Sequence, residues 1–298
     1  MNRTHFFIGD IHGDLAQLKA IVSKLESMGV IASEVIREGF HVNFIGDYGD
    51  RGPDSYGVFL YLMSLQAKNP DATTFLLGNH DFMLLQFLPL MQKILQDFAR
   101  PDLRDYMARY STESYAYKVG LFDTIKSFPG ANDWEKTRNL VNALSTYQAL
   151  GPWLRGLKTH SVIESHGKRI FAVHAGIPSY VCTPDDLRRN ISYVNRSLQL
   201  VGIAGMDFSE DTILWDRGLV CRGWAPSQSL TYASRVQDIT GCDAVVHGHT
   251  RTQGEITNIH NIIYNVDMGL SCFYGQREAK FLMHDAEGFK SVGVTSPI

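Results

Sequence analysis

The sequence of 298 residues has little cysteine, no excess of basic residues and no long uninterrupted apolar run. Its four cysteines form no CxxC pair, which argues against a zinc-finger or disulfide framework and fits a reduced compartment. A net charge of −3 offers no broad basic field to attract nucleic acid. The most apolar stretch, from Phe82 to Met91, is interrupted by Gln86 and Pro89 and is too short to span a bilayer.

A first strand predicted from His5 leaves no room for a secretory signal peptide, so we expect a cytoplasmic protein. Export by a non-classical route would leave the same sequence signature and stays open. The sequence leaves the oligomeric state undetermined.

Hydrophobic residues make up 44% of the chain and charged residues 20%, which is typical of a globular protein with a full core. Predicted strands alternate with helices, as in the helix at 15–28 that Asp14 caps, and this order favours a layered α/β fold. Residues from about 95 to 155 lack strand patterns and read as helical pieces between Pro and Gly breaks. We therefore predict a single domain over residues 1–298 with a helical insertion at about 95–155.

Apolar runs typical of buried strands end, five times along the chain, in a Gly beside an Asp, Asn or His. They are HFFIGDIHGD (5–14), HVNFIGDYGDRG (41–52), TTFLLGNHD (73–81), IFAVHAG (170–176) and AVVHGHT (244–250). One such ending is a common capped turn, whereas five suggest a site where the carboxyl ends of strands converge. Two-metal phosphoester sites need this kind of convergence.

These endings supply oxygen and imidazole ligands. Residues i and i+2 of a strand point to the same side, so Asp10 and His12 can meet one cation. Asp47 is the natural carboxylate to bridge two ions. The remaining candidates are Asn79, His174 and His249, with His247 as a rival of His249. Mixed ligands of this kind suit Mn, Fe or Zn more than Mg or Ca. The other histidines fall on no motif and are interpreted as surface or strand residues.

Three motifs resemble those of the phosphoprotein phosphatase (PPP) family: GDIHG at 9–13, GDYGDRG at 46–52 and GNHD at 78–81. The two later histidine motifs, HAG at 174–176 and GHT at 248–250, are also similar to that family. The resemblance runs from residue 5 to about 275, except for 95–155. The segments at 214–217 and 266–271 are most similar to bacterial and Shewanella-like phosphatases, although these two matches are weaker. The resemblance implies a calcineurin-like metallophosphoesterase fold, a central β-sandwich flanked by helices.

The resemblance also implies two divalent metal ions, with Mn²⁺ expected and Fe or Zn as alternatives. Asp10, His12 and Asp47 would hold one ion. The other would be held by Asp47 together with three further residues, namely Asn79, His174 and His249.

The catalytic groups follow from the same resemblance. His80 would be the general acid, oriented by Asp50, in a direct attack on phosphorus by a metal-bridging hydroxide. Arg51 and Arg217 would grip phosphate oxygens, because the guanidinium fork donates two parallel hydrogen bonds. Arg222 is a rival for the second arginine role, since the chain near 216–224 has no firm register.

The function these residues imply is a metal-dependent phosphomonoesterase acting on phosphorylated proteins, as a Ser/Thr phosphatase with phosphotyrosine also open. The runner-up is a diadenosine tetraphosphate hydrolase, which shares HAG, RGPD (51–54) and GHT, but Asp50 favours a phosphatase because some of those hydrolases lack this acid. Diesterases tend to carry GHxH, whereas Arg251 occupies the second His position here. A non-catalytic metal-binding protein on the same scaffold is the third alternative, but no expected ligand is missing.

Two departures from the family pattern stand out. Gly49 replaces the usual aliphatic residue of GDxxDRG, which predicts a looser loop. Asn79 and His174 are 95 residues apart, longer than we expect for the animal catalytic subunits. We interpret the extra segment either as a helical cap beside the active-site mouth that shapes substrate choice or as a peripheral insert.

Overall fold

The computed structural model describes seven ranges of the chain, namely 2–86, 123–124, 127, 150–200, 212–217, 225–269 and 278–295. Most of the predicted insertion and the rival arginine, Arg222, lie outside these residues, so the questions they raise stay open. The division into a single domain with an insertion also stays a prediction.

One sheet has five strands in the order β12-β11-β1-β4-β5. Their bounds are β1 Thr4–Ile8, β4 Phe40–Phe44, β5 Thr73–Phe75, β11 Glu278–Asp285 and β12 Gly288–Thr295. β1, β4 and β5 run parallel, with Phe6 opposite Val42 and Phe44 opposite Phe75. The last two strands form an antiparallel hairpin in which Asp285 lies opposite Gly288.

The second sheet also has five strands, in the order β6-β7-β8-β10-β9. Their bounds are β6 His160–Ser165, β7 Lys168–Val173, β8 Ala244–His247, β9 Thr257–Ile259 and β10 Ile263–Asn265. β7, β8 and β10 are parallel to one another. A small hairpin, β2 (Ile31–Ala32) and β3 (Val35–Ile36), stands apart from both sheets.

Helices cover the outer faces of the sheets. α1 (Leu15–Ser27) and α2 (Ser55–Lys68) follow β1 and β4, and α3 (Pro184–Leu200) and α4 (Pro226–Thr240) belong to the second half. Asp14 and Asp54 cap the first two helices by accepting the backbone N–H groups of Gln17 and Gly57. Residues 79–86 and 150–155 are also helical.

The core has two layers because the inner strands are buried on both faces. Phe7, Leu282, Ala172 and Val246 belong to the cluster between the sheets. The neighbouring side chains Phe6 and Ile8 point the other way, into the larger cluster under the helices. This alternation with a period of two confirms the predicted layered α/β sandwich.

The parallel strands fix where the site lies. β1, β4 and β5 in one sheet, and β7 and β8 in the other, end at the same edge of the sandwich. The five motif endings of the sequence follow these five strands. In the described part of the chain, no helix is both long and apolar enough to cross a membrane.

Candidate functional site

Tight backbone turns place the polar side chains at the strand ends. Five residues at these turns have positive φ although none is glycine: His12 (46°), Asp47 (55°), Asp50 (69°), Arg51 (67°) and His249 (65°). The turns after β1 and β4 are tied together, because Ile11 and His12 donate backbone N–H groups to the Asp47 carbonyl. The two loops that carry Asp10, His12 and Asp47 are therefore held as one unit.

Asp47 lies at the centre of the site and is 1% exposed. Its Oδ1 is 3.3 Å from His174 Nε2, and its Oδ2 is 3.6 Å from His12 Nε2 and 3.9 Å from His80 Nε2. Asp47, His12 and His80 offer ligand atoms that all lie within 4.8 Å of one another, and so do Asp47, His174 and His249. Asp47 is thus the shared member of two groups, as a bridging carboxylate requires.

Asp10 and Asn79 complete the predicted set. The Asp10 carboxylate is 3.9 Å from His12 Nε2 and accepts the backbone N–H of His249 at 3.1 Å. Asn79 Oδ1 lies 3.0 Å from His174 Nε2 and 3.0 Å from His249 Nδ1. The structure therefore brings all six predicted ligands together, while their role as ligands stays a prediction.

Three of the histidines are oriented by backbone carbonyl groups. His12 Nδ1 lies 3.0 Å from the Gly49 carbonyl, His174 Nδ1 2.9 Å from Ile45 O and His249 Nε2 3.1 Å from Trp215 O. If each of these nitrogens carries the proton, the other ring nitrogen turns its lone pair toward Asp47 or Asn79. Metal-binding histidines are held in the same way by a second hydrogen bond.

Burial and neighbouring charges both shift the pKa values of the site residues. Burial raises the pKa of Asp10 well above its usual value, and the nearby Asp267 carboxylate raises it further. Burial also lowers the pKa of His249 to about 2. At Asp47 burial opposes ionisation, but the charges of His174 and His80 outweigh it and lower the pKa. For His174, burial is likewise outweighed, here by Asp47, and the pKa is about 10.

This donor set fits divalent cations. Buried carboxylates are costly unless a positive charge lies beside them, and Asp10 and Asp47 are each 1% exposed. Imidazole and carboxylate donors together suit Mn, Fe or Zn. Each of the two groups that share Asp47 could therefore hold a cation.

His80 lies beside this cluster, between Asp50 on one side of its ring and Arg51 on the other. Its Nδ1 is 2.7 Å from Asp50 Oδ2, and both residues are buried. The guanidinium of Arg51 reaches His80 Nε2 at 2.8 Å and His12 Nε2 at 2.5 Å. A cation on His12 would displace this contact, and the fork of Arg51 would then be directed at whatever occupies the site.

The other predicted residues lie at the margin. Arg217 is exposed, and its Nη1 is 3.3 Å from Thr250 Oγ1, next to His249. His247 is buried with Nδ1 3.0 Å from the Gly248 carbonyl, and it belongs to neither ligand group. This placement agrees with the preference for His249 over His247.

Asp81 is a residue whose role the sequence reasoning missed. One carboxylate oxygen accepts the backbone N–H groups of Asp47 and Gly78, both at 2.9 Å, and the other accepts Tyr48 N–H at 3.1 Å. It thus fastens the turn after β4 to the turn after β5. Asp81 is the last residue of the GNHD motif, so it was visible in the sequence. The signal for its role was that the turns containing Gly46 and Gly78 must meet at one site and need a residue that links them.

Sequence comparisons place the chain among phosphoesterases. A sequence model of the calcineurin-like phosphoesterase family matches residues 5–252. The chain is 27% identical over 181 residues to the serine/threonine-protein phosphatase 4 catalytic subunit of Eremothecium gossypii, covering 60% of this chain and 41% of that protein. It is 25% identical over 216 residues to a symmetrical bis(5'-nucleosyl)-tetraphosphatase of Shewanella sp., covering 71% of this chain and 60% of that protein. The matches therefore span less than two thirds of either relative.

Solved structures share the fold. A cold-active protein-tyrosine phosphatase of a psychrophile Shewanella sp. superposes with a TM-score of 0.59 at 17% identity, covering 99% of this chain and 81% of that one. A protein serine/threonine phosphatase from Saccharomyces cerevisiae gives a TM-score of 0.53 at 13% identity, covering 100% and 81%. At these identities the likeness concerns the fold alone.

Proposed function

Because this chain belongs to the calcineurin-like phosphoesterase family, we propose that it is a phosphomonoesterase dependent on two divalent cations. Its proposed substrates are phosphoserine and phosphothreonine in proteins, with phosphotyrosine as a further substrate. The observation that carries the proposal is the His80–Asp50 pair, joined at 2.7 Å and placed beside the Asp47-centred cluster.

The pair supports general-acid catalysis. With Nδ1–H donating to the Asp50 carboxylate, His80 presents Nε2 to the site. When the ring is protonated at both nitrogens, Nε2–H would give its proton to the leaving oxygen and leave the neutral Nδ1–H ring. Water forms a new bond to phosphorus while the bond from phosphorus to the leaving oxygen breaks, so that phosphate and an alcohol are released. An alkoxide leaving group, as in phosphoserine, depends strongly on that proton.

The cations would supply activated water and neutralise charge on the phosphoryl oxygens. Asp10, His12 and Asp47 are proposed to hold one of them, and Asp47 the other, together with Asn79, His174 and His249. Arg51 is proposed to bind phosphate through its fork, and Arg217 to do so from the rim.

A second candidate is hydrolysis of diadenosine tetraphosphate. The observation that favours it is the 25% identity over 216 residues to the bis(5'-nucleosyl)-tetraphosphatase. Asp50 favours the phosphatase reading, because a poor alkoxide leaving group needs an oriented acid more than a nucleotide phosphate does.

One assay separates these candidates. Purified protein with Mn²⁺ is incubated with p-nitrophenyl phosphate, with phosphoserine, phosphothreonine and phosphotyrosine peptides, and with diadenosine tetraphosphate. We expect hydrolysis of the monoesters and little cleavage of the dinucleotide, with all activity lost in EDTA. Preferential cleavage of the dinucleotide would support the second candidate, and metal binding without any hydrolysis would indicate a non-catalytic binding protein.

Two variants then test the roles. Asp10→Asn should abolish turnover by weakening cation binding, and His80→Asn should lower turnover about 10²-fold or more while cations still bind. If His80→Asn kept wild-type turnover on phosphopeptides while Asp10→Asn was inactive, His80 would not be the acid.

A further inference from the structure

We propose that Thr124, from the 95–155 insertion, positions the Asp50–His80 pair. The proposal rests on the proposed function, since it assigns a role to the insertion in that reaction. Thr124 is fully buried, and its hydroxyl donates to Asp50 Oδ1 at 2.5 Å. The other carboxylate oxygen, Oδ2, is the one that holds His80. Thr124 and His80 therefore fix the two oxygens of one carboxylate.

The Thr124 hydroxyl is bound on both sides, which gives it a defined direction. It accepts the backbone N–H of Asp50 at 2.7 Å while donating to the carboxylate of the same residue. Its oxygen also lies 3.0 Å from Ser55 Oγ, at the start of α2. Asp50 has a φ of 69°, so both its backbone and its side chain are held in an uncommon conformation.

Gly49 makes room for this contact. A Cβ atom built on Gly49 would lie 3.2 Å from Thr124 Oγ1 and 2.9 Å from Phe59 Cζ, both closer than ordinary packing allows. An aliphatic side chain at this position would push into the space that Thr124 and Phe59 occupy. The glycine that departs from the family pattern therefore lies where Thr124 of the insertion packs. Thr124 and Phe59 occupy the space that an aliphatic side chain would take.

A second contact anchors the same part of the insertion. Ser127 Oγ donates to the Thr124 carbonyl at 2.6 Å and accepts the backbone N–H of Tyr56 at 2.9 Å. Ser127 does not contact Asp50 through these bonds. It offers a matched control, because Ser127→Ala removes these two bonds and leaves the hydroxyl of Thr124 in place.

The test separates positioning from structural support by changing the leaving group. Thr124→Val keeps the shape and removes the hydroxyl, and Thr124→Ser keeps the hydroxyl. We expect Thr124→Val to lower kcat about 10-fold on a phosphoserine peptide and less than about 2-fold on p-nitrophenyl phosphate, whose leaving group needs little acid help. Thr124→Ser should restore the wild-type ratio of the two rates, and Ser127→Ala should leave that ratio unchanged.

A double variant sharpens the result. If Thr124 acts through His80, adding Thr124→Val to His80→Asn should cause no further loss on the phosphopeptide. Equal losses on both substrates, or additive losses in the double variant, would overturn the proposal. Thr124→Ala serves the same comparison if Thr124→Val does not fold, as judged by circular dichroism.

The outcome is distinguishable from a failure of the proposed function. A wild-type protein that hydrolyses neither monoester refutes the phosphatase, whereas an active wild type with an unchanged ratio in Thr124→Val refutes the positioning role alone. A readout without turnover is the ¹⁵N signal of the His80 ring. In the neutral form of the ring, which remains after the Nε2 proton has been given away, we expect the Nδ1–H tautomer alone in the wild type and in Thr124→Ser, and a mixture of tautomers in Thr124→Val. A single unchanged tautomer in Thr124→Val would count against the proposal.

Discussion

Replacing Tyr48 by phenylalanine tests how the turn after β4 is fixed to β5. The Tyr48 ring is fully buried, and its hydroxyl donates mainly to the Leu76 carbonyl at 2.7 Å, with the Phe44 carbonyl at 3.3 Å. Burial raises the pKa of Tyr48 well above its usual value, so the hydroxyl remains protonated at any working pH. Tyr48→Phe keeps the ring contacts with Trp153 and Phe75 and removes only this donor.

The expected cost has two parts. A neutral hydrogen bond contributes about 1 kcal/mol, and a buried carbonyl left without it costs about 1–3 kcal/mol more. We therefore expect the free energy of unfolding to fall by about 2–4 kcal/mol. Because Tyr48 follows Asp47 and Leu76 lies three residues before Asn79, the affinity for Mn²⁺ should also fall, by about 10-fold.

Urea unfolding in EDTA, followed by tryptophan fluorescence, measures the first effect, and calorimetric titration with Mn²⁺ measures the second. Tyr61→Phe on α2 is the control, since the Tyr61 side chain is only partly buried and the charged groups near it are Glu34 and Glu26. A Tyr48→Phe protein within about 0.5 kcal/mol of the control would show that the hydroxyl does not hold the two strand ends together.

Three further predictions concern the same loops and the distant face of the first sheet. Gly78→Ala should abolish Mn²⁺ binding in calorimetry, because its Cβ would lie 2.1 Å from Asp47 Oδ1, whereas Gly293→Ala, with open space around it, should bind normally. Asp81→Ala should weaken Mn²⁺ binding about 10-fold or more, since three backbone N–H groups lose their acceptor. Burial lowers the pKa of His5 to about 3, so the unfolded chain takes up a proton first as the pH falls below about 6.5. The stability that depends on a neutral His5 is fully present above that pH and should fall by up to about 1.4 kcal/mol per pH unit below it. Urea unfolding measured at several pH values should show a shallower loss of stability for His5→Phe than for the wild type. Parallel plots of unfolding free energy against pH for the two proteins would contradict this.

The sequence contained the arrangement of the predicted ligands because parallel strands end at one edge. Asp10, Asp47 and Asn79 follow strands of the first sheet, and His174 and His249 follow strands of the second. A buried apolar run followed at once by a ligand residue is a local pattern, and topology converts five local patterns into one site. The sandwich itself came from the family resemblance, since periodicity indicated only alternating strands and helices.

Other parts of the site have no local pattern. Backbone carbonyls of Ile45 and Trp215 orient His174 and His249. Every residue has a backbone carbonyl, so the residue type gives no sign that its carbonyl holds a histidine. Thr124 reaches Asp50 from 74 positions away in a segment without a motif. The only sequence signal was Gly49, whose missing side chain indicated a loose loop, whereas the structure fills that space with Thr124 and Phe59.

The choice of residues at the strand ends meets two demands at once. His12, Asp47 and His249 adopt positive φ, which Asn, Asp and His tolerate several-fold more often than most side chains. Asp and His, the residue types that commonly bind cations, are therefore also types that tolerate the sharp turns where the predicted ligands lie. Arg51, with a φ of 67°, is the exception, because a long unbranched side chain has no such tolerance. At this turn the guanidinium of Arg51 lies against His12 and His80, so the uncommon backbone conformation directs the arginine at the site.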